Sequence, residues 1–363
     1  MNYKILCITD RSDLPETELF IGLKNIGVDI EVICNPTGKN YQRIKQSDVL
    51  VHDLILKSRF DLAGIRFINE QLKKFRYDIL YCFNNRATSN ALIASRGIDL
   101  KIMTYRGVIG NVGFLSPASW TTHLNPKVKR IVCVSNAVRD YFLSIKCLGM
   151  KVSPARVITI YKGHELSWYQ SKPADLSEFN IPPDAFVIGF AGRNRPRKGI
   201  DYLINAANWL PKGLPIHFIL MGKLTDDKKL RRIIDRNPYR DNIHLPGFRT
   251  DVPAIASACD TFVQPSIERE GFARAVIESM VYATPPIVTD AGGLKELVVH
   301  NESGIIVPQK DDKAIAKAIL DLYYNPDKKK TLGQNARQRI HNNFNSRTTA
   351  QKTKQLFEQL LKE

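Results

Sequence analysis

Short apolar runs rich in β-branched residues alternate along the chain with longer segments whose apolar positions recur every three or four residues. The first kind reads as buried strand and the second as amphipathic helix, and their alternation from end to end is the pattern of parallel sheets wrapped by helices. In the first half the predicted strands are 4–9, 29–34, 79–83, 101–105, 130–134 and 157–161. A polar, three-proline stretch that begins at Gln170, QSKPADLSEFNIPPDA, shows no sustained period and reads as a linker, placed at 171–185. A second series of strands follows at 186–191, 216–221, 243–245, 261–263, 286–289 and 304–307. The tail from 311 to 363 is helical by periodicity, with breaks at Asn325-Pro326 and Phe344-Asn345. Two α/β domains are expected, 1–170 and 186–345, with a last helix at 346–363.

In open parallel sheets, ligands sit beyond the carboxyl ends of the strands, so the loops leaving those ends are where chemistry is sought. After strand 186–191 comes GRNRPRKG, which packs Arg193, Arg195, Arg197 and Lys198 ahead of a helix expected near Gly199. Like charges repel, and cations at a helix N-terminus oppose its dipole, so this loop costs stability unless it holds an anion. A diphosphate answers that description, although a solvated basic turn accounts equally for the loop taken alone. After strand 261–263 comes PSIEREGFARAVIESM. Glu270 and Glu278 are eight positions apart, which at about 100° per residue does not place them on one helix face. The spacing fits Glu270 in the loop and Glu278 on a helix beginning near Ala273, with Gly271 allowing a tight turn. No Ser, Thr, Asp or Asn stands at 271–273 to cap that helix, so its first amides are open to a phosphate. The third loop, TDAGGLKELV, has Gly292-Gly293 at a helix mouth, where a ligand or a plain turn is equally well served.

Composition narrows the classes. At 363 residues the chain has length for about two domains. No run approaches the roughly 18 to 20 apolar residues of a membrane span, and the opening MNYKILCITD reads as a first strand and not as a signal peptide. Six scattered cysteines without metal-ligand spacing read as buried thiols in a reducing compartment. The formal net charge of +17, shared between the halves, calls for a polyanion. No zinc-finger, RNA-recognition or basic-zipper signature accompanies it, so nucleic acid is not expected and an anionic membrane surface is the better candidate. The segment 53–77, DLILKSRFDLAGIRFINEQLKKFRY, can set Leu62, Ile65, Phe67, Ile68 and Leu72 against a face of Lys57, Arg59, Arg66, Lys73, Lys74 and Arg76. It reads either as a membrane-contacting helix or as a core-packed helix with a solvated basic face.

The run PSIEREGFARAVIESMVYATPPIVTDAGGLKELVVHNESGIIVP resembles the donor-domain signature of glycosyltransferase family 4. The likeness extends to GRNRPRKGID, LPGFRTDV and QNARQRIHNNFN, covering most of 155–345, whereas the first half resembles the family loosely, through strand order and CVSNAV. It implies an α/β, GT-B fold: two Rossmann-like domains facing an interdomain cleft, acceptor domain first and donor domain second, with the last helix packing back on the first. It also implies a retaining transfer from a nucleotide diphosphate sugar, without a metal or other cofactor; no D-x-D triplet occurs here. Arg193, Lys198 and Glu270 become the catalytic set, the first two on the diphosphate and the third on the donor sugar. Gly192 and the amides of Gly271, Phe272, Ala273 and Arg274 line the donor, Glu278 takes the ribose, and the loop of Phe248 and Arg249 lies against the base. The leaving diphosphate itself helps to deprotonate the acceptor, so no enzymic base is implied.

Two departures stand out. Where many relatives have a glycine-rich loop after the first strand, this chain has DRSDLPETEL; where many have a histidine in a T-x-H turn, it has Thr104-Tyr105-Arg106-Gly107. Arg106 is left with two readings, an anion contact or a buried ion pair. His164, in YKGHEL, is either a substrate contact or an ordinary hydrogen-bonded histidine. The expected activity is transfer of a hexose or N-acetylhexosamine, UDP-linked, to a saccharide or lipid-linked acceptor in bacterial cell-surface glycan synthesis, in the cytoplasm or at its membrane face. The competing readings are a sugar-nucleotide epimerase of the same fold and a non-catalytic binder of membranes or other polyanions.

Overall fold

A computed structural model describes residues 3–363; Met1 and Asn2 of the opening segment lie outside the described residues. The chain forms two compact units, one of residues up to His164 together with Phe344–Glu363, the other of Glu165–Asn343.

The first unit carries β1 (Lys4–Ile8), β2 (Asp29–Cys34), β3 (Leu50–Asp53), β4 (Ile79–Cys82), β5 (Lys101–Arg106) and β6 (Val128–Cys133). After a small antiparallel hairpin of β7 (Lys146–Cys147) and β8 (Met150–Lys151) comes β9 (Val157–Thr159). Seven of these strands form one parallel sheet in the order β3-β2-β1-β4-β5-β6-β9. Helices cover both faces, which is why the central strands are apolar at every position: Ile5, Leu6, Cys7 and Ile8 have no exposed surface. The first helix, Leu14–Asn25, starts where Asp13 accepts from the Glu16 amide and carries a proline in its first turn. It packs on the last helix, Ser346–Lys362, closely enough that a Cβ on Gly22 would sit 3.3 Å from the Ala350 Cβ. Phe20 and Phe357 are fully buried in the same core, and truncating a phenylalanine so placed costs about 3 to 5 kcal/mol.

The second unit carries β10 (Phe186–Ala191), β11 (Ile216–Met221), β12 (Ile243–His244), β13 (Thr261–Gln264), β14 (Pro286–Thr289) and β15 (Ile305–Val307). They form a parallel sheet in the order β12-β11-β10-β13-β14-β15. Ile188, Phe190, Phe218 and Leu220 pack with Leu203, Ile319 and Leu322 of the surrounding helices. The breaks between Asp312–Tyr324, Pro326–Asn343 and Ser346–Lys362 fall where the sequence places them.

Three expectations need correcting. The segment 171–185 is no linker: Leu176–Phe179 forms a 3-10 turn capped by Asp175, the Ala174 amide donates to the Ala254 carbonyl at 3.0 Å, and Ile181 is buried with Val187, Ile219 and Phe262. Its prolines mark tight turns laid on the second unit, so the units divide after His164, and again after Asn343. The segment 53–77 is not one helix. β3 ends at Asp53, and the helix spans only Leu62–Phe75, with Asp61 as its cap and Gly64, Ile68 and Leu72 as its buried positions. Leu62, expected on the apolar face, points to solvent. β3 and the β7–β8 hairpin were absent from the sequence reading because both are too short to show a period.

Candidate active site

In the second sheet the chain order reverses between β10 and β13, which are hydrogen-bonded neighbours. Loops that leave two such strands diverge and open a crevice at the sheet's carboxyl edge. The two loops singled out from sequence, 192–199 after β10 and 265–273 after β13, are the loops at this point. They are tied together by backbone, the Ile267 amide donating to the Arg197 carbonyl at 2.9 Å. Gly199 makes the approach feasible: its φ is +62°, and a Cβ there would lie 2.1 Å from the Pro265 carbonyl oxygen. The third loop joins them, the Gly293 amide donating to the Glu270 carbonyl at 2.8 Å.

Among the side chains, Lys198 Nζ lies 2.7 Å from Glu270 Oε2, an oxygen that also accepts from Ser266 Oγ at 2.9 Å. Gln264 donates to Ser266 Oγ at 2.9 Å, so the chain of hydrogen bonds runs from the end of β13 to the ammonium. The Lys198 and Glu270 side chains are only 16% and 14% exposed. Ser266 was not singled out in the sequence, and its place in PSIERE carried no signal of this role. Arg193 and Arg195 are exposed, while Asn194 ties their loop to Asp227 at 2.7 Å, the cap of the helix Lys228–Asp235. The geometry thus presents two free-standing guanidinium groups beside a lysine already held by a carboxylate.

The helix after the second loop is Arg274–Val281, with Ala273 at its N-cap and no side-chain capping bond. Its first amides carry the partial positive charge of the helix dipole. The left-handed turn ahead of it falls on Arg269, φ 54°, and not on Gly271, which corrects the expected use of that glycine. Glu278 is buried, and Arg274 reaches it from one turn away at 3.0 Å. Gly192 lies against Gly222, where a Cβ would meet the Gly192 carbonyl oxygen at 2.1 Å, and the Gly222 amide donates to the Gly247 carbonyl at 2.8 Å. The loops after β10, β11 and β12 are therefore also in register. Phe248 at the tip is 69% exposed. Arg249 is engaged elsewhere: both its Nε and a terminal nitrogen donate to Asp251, at 2.8 and 2.6 Å, a further bond reaches Glu178, and the guanidinium lies over the Phe179 ring. These bonds raise the arginine and hold the Asp251 carboxyl below its ordinary range, so this side chain fastens the loop to the 175–179 turn.

Two family profiles divide the chain between them: the one described as Glycosyltransferase Family 4 matches residues 17–168, and the one described as Glycosyl transferases group 1 matches 171–339. The chain belongs to glycosyltransferase family 4. One relative within reach is the capsular polysaccharide biosynthesis glycosyltransferase CapM of Staphylococcus aureus, 31% identical over 185 residues, 50% of this chain and 48% of CapM. The chain therefore spans about half of that relative's length. A second is the UDP-Gal:alpha-D-GlcNAc-diphosphoundecaprenol alpha-1,3-galactosyltransferase of Escherichia coli, 27% identical over 97% of this chain and 94% of that enzyme. Among solved structures, Anabaena HepE in complex with UDP superposes with a TM-score of 0.77 at 22% identity, covering 98% of this chain and 100% of HepE. A glycosyltransferase of Rickettsia africae reaches 0.82 at 20%, covering 100% and 99%. At these identities the likeness is one of fold, the GT-B class with two Rossmann-like parallel units.

In the first unit of this family 4 chain, the residues singled out from sequence are engaged within the fold. Arg106 makes no ion pair among the described residues: buried, it donates through Nε to the Val108 carbonyl at 2.9 Å and through a terminal nitrogen to the Gly110 carbonyl, holding the loop after β5 in place. A histidine does lie at this turn, but from another segment. His123 Nδ1 is 3.0 Å from Thr104 Oγ1, and its pKa is pushed down to about 3 by burial and then by Arg106 and Arg59, so the ring is neutral. His164 is buried, its amide donating to the Phe344 carbonyl at 2.7 Å, and its ring is near enough to Asp13 to help lower that carboxyl. Around it stands a cluster that the sequence reading missed. In and beside DRSDLPETEL, Asp13 takes Lys162 Nζ at 2.7 Å, Glu16 lies 3.9 Å from the same nitrogen, and Thr9 donates to Glu16 at 2.6 Å. Glu16, Lys162, Tyr105 and Thr353 line a cavity about the size of one water molecule, too small for a sugar. The partners stand almost 150 positions apart, so no local signal could have joined them.

Proposed function

We propose that this chain is a retaining, metal-independent glycosyltransferase that moves a hexose or N-acetylhexosamine from a UDP-sugar to a saccharide or lipid-linked acceptor during assembly of a bacterial cell-surface glycan. The observation that carries the reading is the Lys198–Glu270 pair, set between the exposed Arg193 loop and an uncapped helix at the sheet's switch point. Lys198 and Arg193 would neutralise the leaving diphosphate, the Arg274 helix amides would take its oxygens, and Glu270 would accept from sugar hydroxyls. Glu278 would trade or share its Arg274 partner for the ribose. The bond from the anomeric carbon to the diphosphate oxygen breaks as the acceptor oxygen attacks the same face, and the acceptor proton passes to that diphosphate oxygen. Uridine as the base, capsule-type or lipid-diphosphate-linked acceptors, and a cytoplasmic workplace are supported by the relatives' stated activities and by the six free thiols.

The test is a thermal-shift series with UDP, GDP, ADP and CMP, followed by donor turnover and product stereochemistry in wild type and Glu270→Gln. Binding raises apparent stability, so UDP should give the largest shift. Glu270→Gln should lose most turnover while melting normally. No shift with any of the four nucleotides, or full turnover in the variant, contradicts the proposal. Epimerised product released without an acceptor would favour the epimerase instead.

A further inference from the structure

Two side chains hold the Glu270 carboxylate: Lys198 Nζ at 2.7 Å and Ser266 Oγ at 2.9 Å, both on Oε2. Only the first is a group that a diphosphate would draw away. The second has a direction that chemistry fixes. A carboxylate accepts and does not donate, so the single hydrogen of the Ser266 hydroxyl points at Glu270. The contact between Gln264 and Ser266 Oγ, at 2.9 Å, must then run toward the hydroxyl, with the glutamine amide nitrogen as donor. The result is a one-way chain of hydrogen bonds from Gln264 through Ser266 to Glu270. Glu270 Oε1, the other oxygen, has no hydrogen-bond partner among the described residues.

This chain of bonds is anchored deep in the sheet. Gln264 is the last residue of β13 and 1% exposed, and Ser266 has no exposed surface. Apolar groups of the same shape in both places would be close to neutral for stability, so folding alone does not call for an amide and a hydroxyl here. Their effect is on placement. The Ser266 carbonyl accepts from Thr289 Oγ1, fully buried at the end of β14, and the next amide, that of Ile267, donates to the Arg197 carbonyl in the loop after β10. Since β10 and β14 flank β13, Ser266 is fastened from both sides. Beyond it the backbone turns through Arg269 at a φ of 54°, unfavourable for a residue with a Cβ, and the Glu270 carbonyl takes the Gly293 amide at 2.8 Å. Main chain and carboxylate of Glu270 are therefore both set by neighbouring groups of the fold, an arrangement that keeps a polar side chain aimed when its ligands change.

Donor binding would remove one of the two supports. An ammonium placed between a carboxylate and a diphosphate moves toward the greater charge, and Glu270 is left without its counter-ion while a sugar hydroxyl reaches for Oε1. A glutamate has several side-chain torsions with which to follow the lysine, and the Ser266 bond denies it that freedom. We infer that Ser266, oriented by Gln264, is the positioning residue that keeps Glu270 aimed at the donor sugar while Lys198 passes from that carboxylate to the diphosphate. No covalent bond is made or broken in this step. One ion pair is exchanged for another while a hydrogen bond on the same carboxylate oxygen stays in place. This role rests on the nucleotide-sugar reading of the site and gives a task to a side chain that touches neither substrate nor reacting atoms.

The experiment follows hydrolysis of UDP-glucose, UDP-galactose and UDP-N-acetylglucosamine by the full chain and takes forward the compound that wild type cleaves fastest. UDP affinity by calorimetry and the melting temperature are measured on the same preparations. Ser266→Ala should lower kcat/KM by about ten- to a hundredfold, while UDP affinity stays within about threefold and the melting temperature within a few degrees. Gln264→Met keeps the shape, lets the serine hydrogen turn away from Glu270, and should cost about three- to tenfold; it carries the test if the alanine variant does not fold. Because Ser266 acts through Glu270, Ser266→Ala should cost less than about twofold when added to Glu270→Ala. Wild-type kcat/KM in either Ser266→Ala or Gln264→Met would overturn the inference. So would a loss shared with UDP affinity and melting temperature, or a full extra loss on top of Glu270→Ala, since each marks a merely structural role. A wild type that neither binds UDP nor cleaves any of the compounds ends the donor reading and this role with it, whereas an active wild type with an indifferent Ser266→Ala ends this role alone.

Discussion

Replacing Lys198 by methionine keeps the length and apolar volume of the side chain and removes its charge, which isolates what the ammonium does. In the fold it has one anionic contact, Glu270 Oε2 at 2.7 Å, and that oxygen keeps the Ser266 hydroxyl at 2.9 Å after the change. Glu270 therefore loses a partner without being stranded, and the stability cost should be about 1 kcal/mol, a drop of roughly 2 to 4 °C in melting temperature. The catalytic cost is of another size. A single preorganised donor aimed at developing negative charge is worth about 3 to 4 kcal/mol, or 10² to 10³ in turnover. Part of that loss should appear in KM, because the diphosphate is charged before the bond to the sugar breaks. Hydrolysis of a UDP-sugar, with water standing in for the acceptor, reads the donor site alone; UDP release gives the rate and calorimetry gives UDP affinity. Lys198→Arg should recover little, since a planar fork does not reproduce a point charge wedged beside Glu270. A variant that melts a few degrees lower yet keeps kcat/KM within about threefold of wild type would refute the reasoning and make the pair a structural clasp.

Two other predictions concern stability. Glu16 is buried, and desolvation pushes its pKa up to about 7 despite the opposing pull of Lys162, with Asp13 adding to the rise. A folded value above the ordinary 4.5 favours the protonated form, so this contribution is complete below about pH 4.5 and lost as the pH climbs through 7. Glu16→Gln keeps an acceptor for Thr9 and should flatten urea-derived stability between those pH values, and a curve parallel to wild type would contradict it. Gly199→Ala forces a Cβ to within 2.1 Å of the Pro265 carbonyl at a φ of +62°, and should cost at least about 2 kcal/mol and weaken UDP binding together; unchanged affinity would show that the two loops need not touch.

How much of this was legible follows from where each signal is stored. Central strands such as β1, β10 and β11 are buried on both faces, so their apolar runs declare themselves in the sequence. β3 is an edge strand reading LVHD, with two polar residues in four, and its end was absorbed into a helix that begins nine residues later. The loops at the switch point were legible because their features are local: a cation cluster, an uncapped helix and a pair of glutamates each lie within one short segment. The sequence reading put Lys198 and Glu270 on one substrate; that they pair with each other depends on β10 and β13 being neighbours, a fact of topology. Arg249 shows the converse case. A conspicuous arginine in a donor-side loop invites a ligand, yet Asp251, two residues on, already satisfies it bidentately. The first unit was least legible, because its polar chemistry is long-range: Glu16 and Lys162 meet only when the ends of β1 and β9 are brought to one edge of the sheet. The carboxyl of Glu16, the Lys162 ammonium and the hydroxyls of Thr9 and Thr353 are drawn from four distant segments into one buried cluster by that topology alone, so no local pattern announces them.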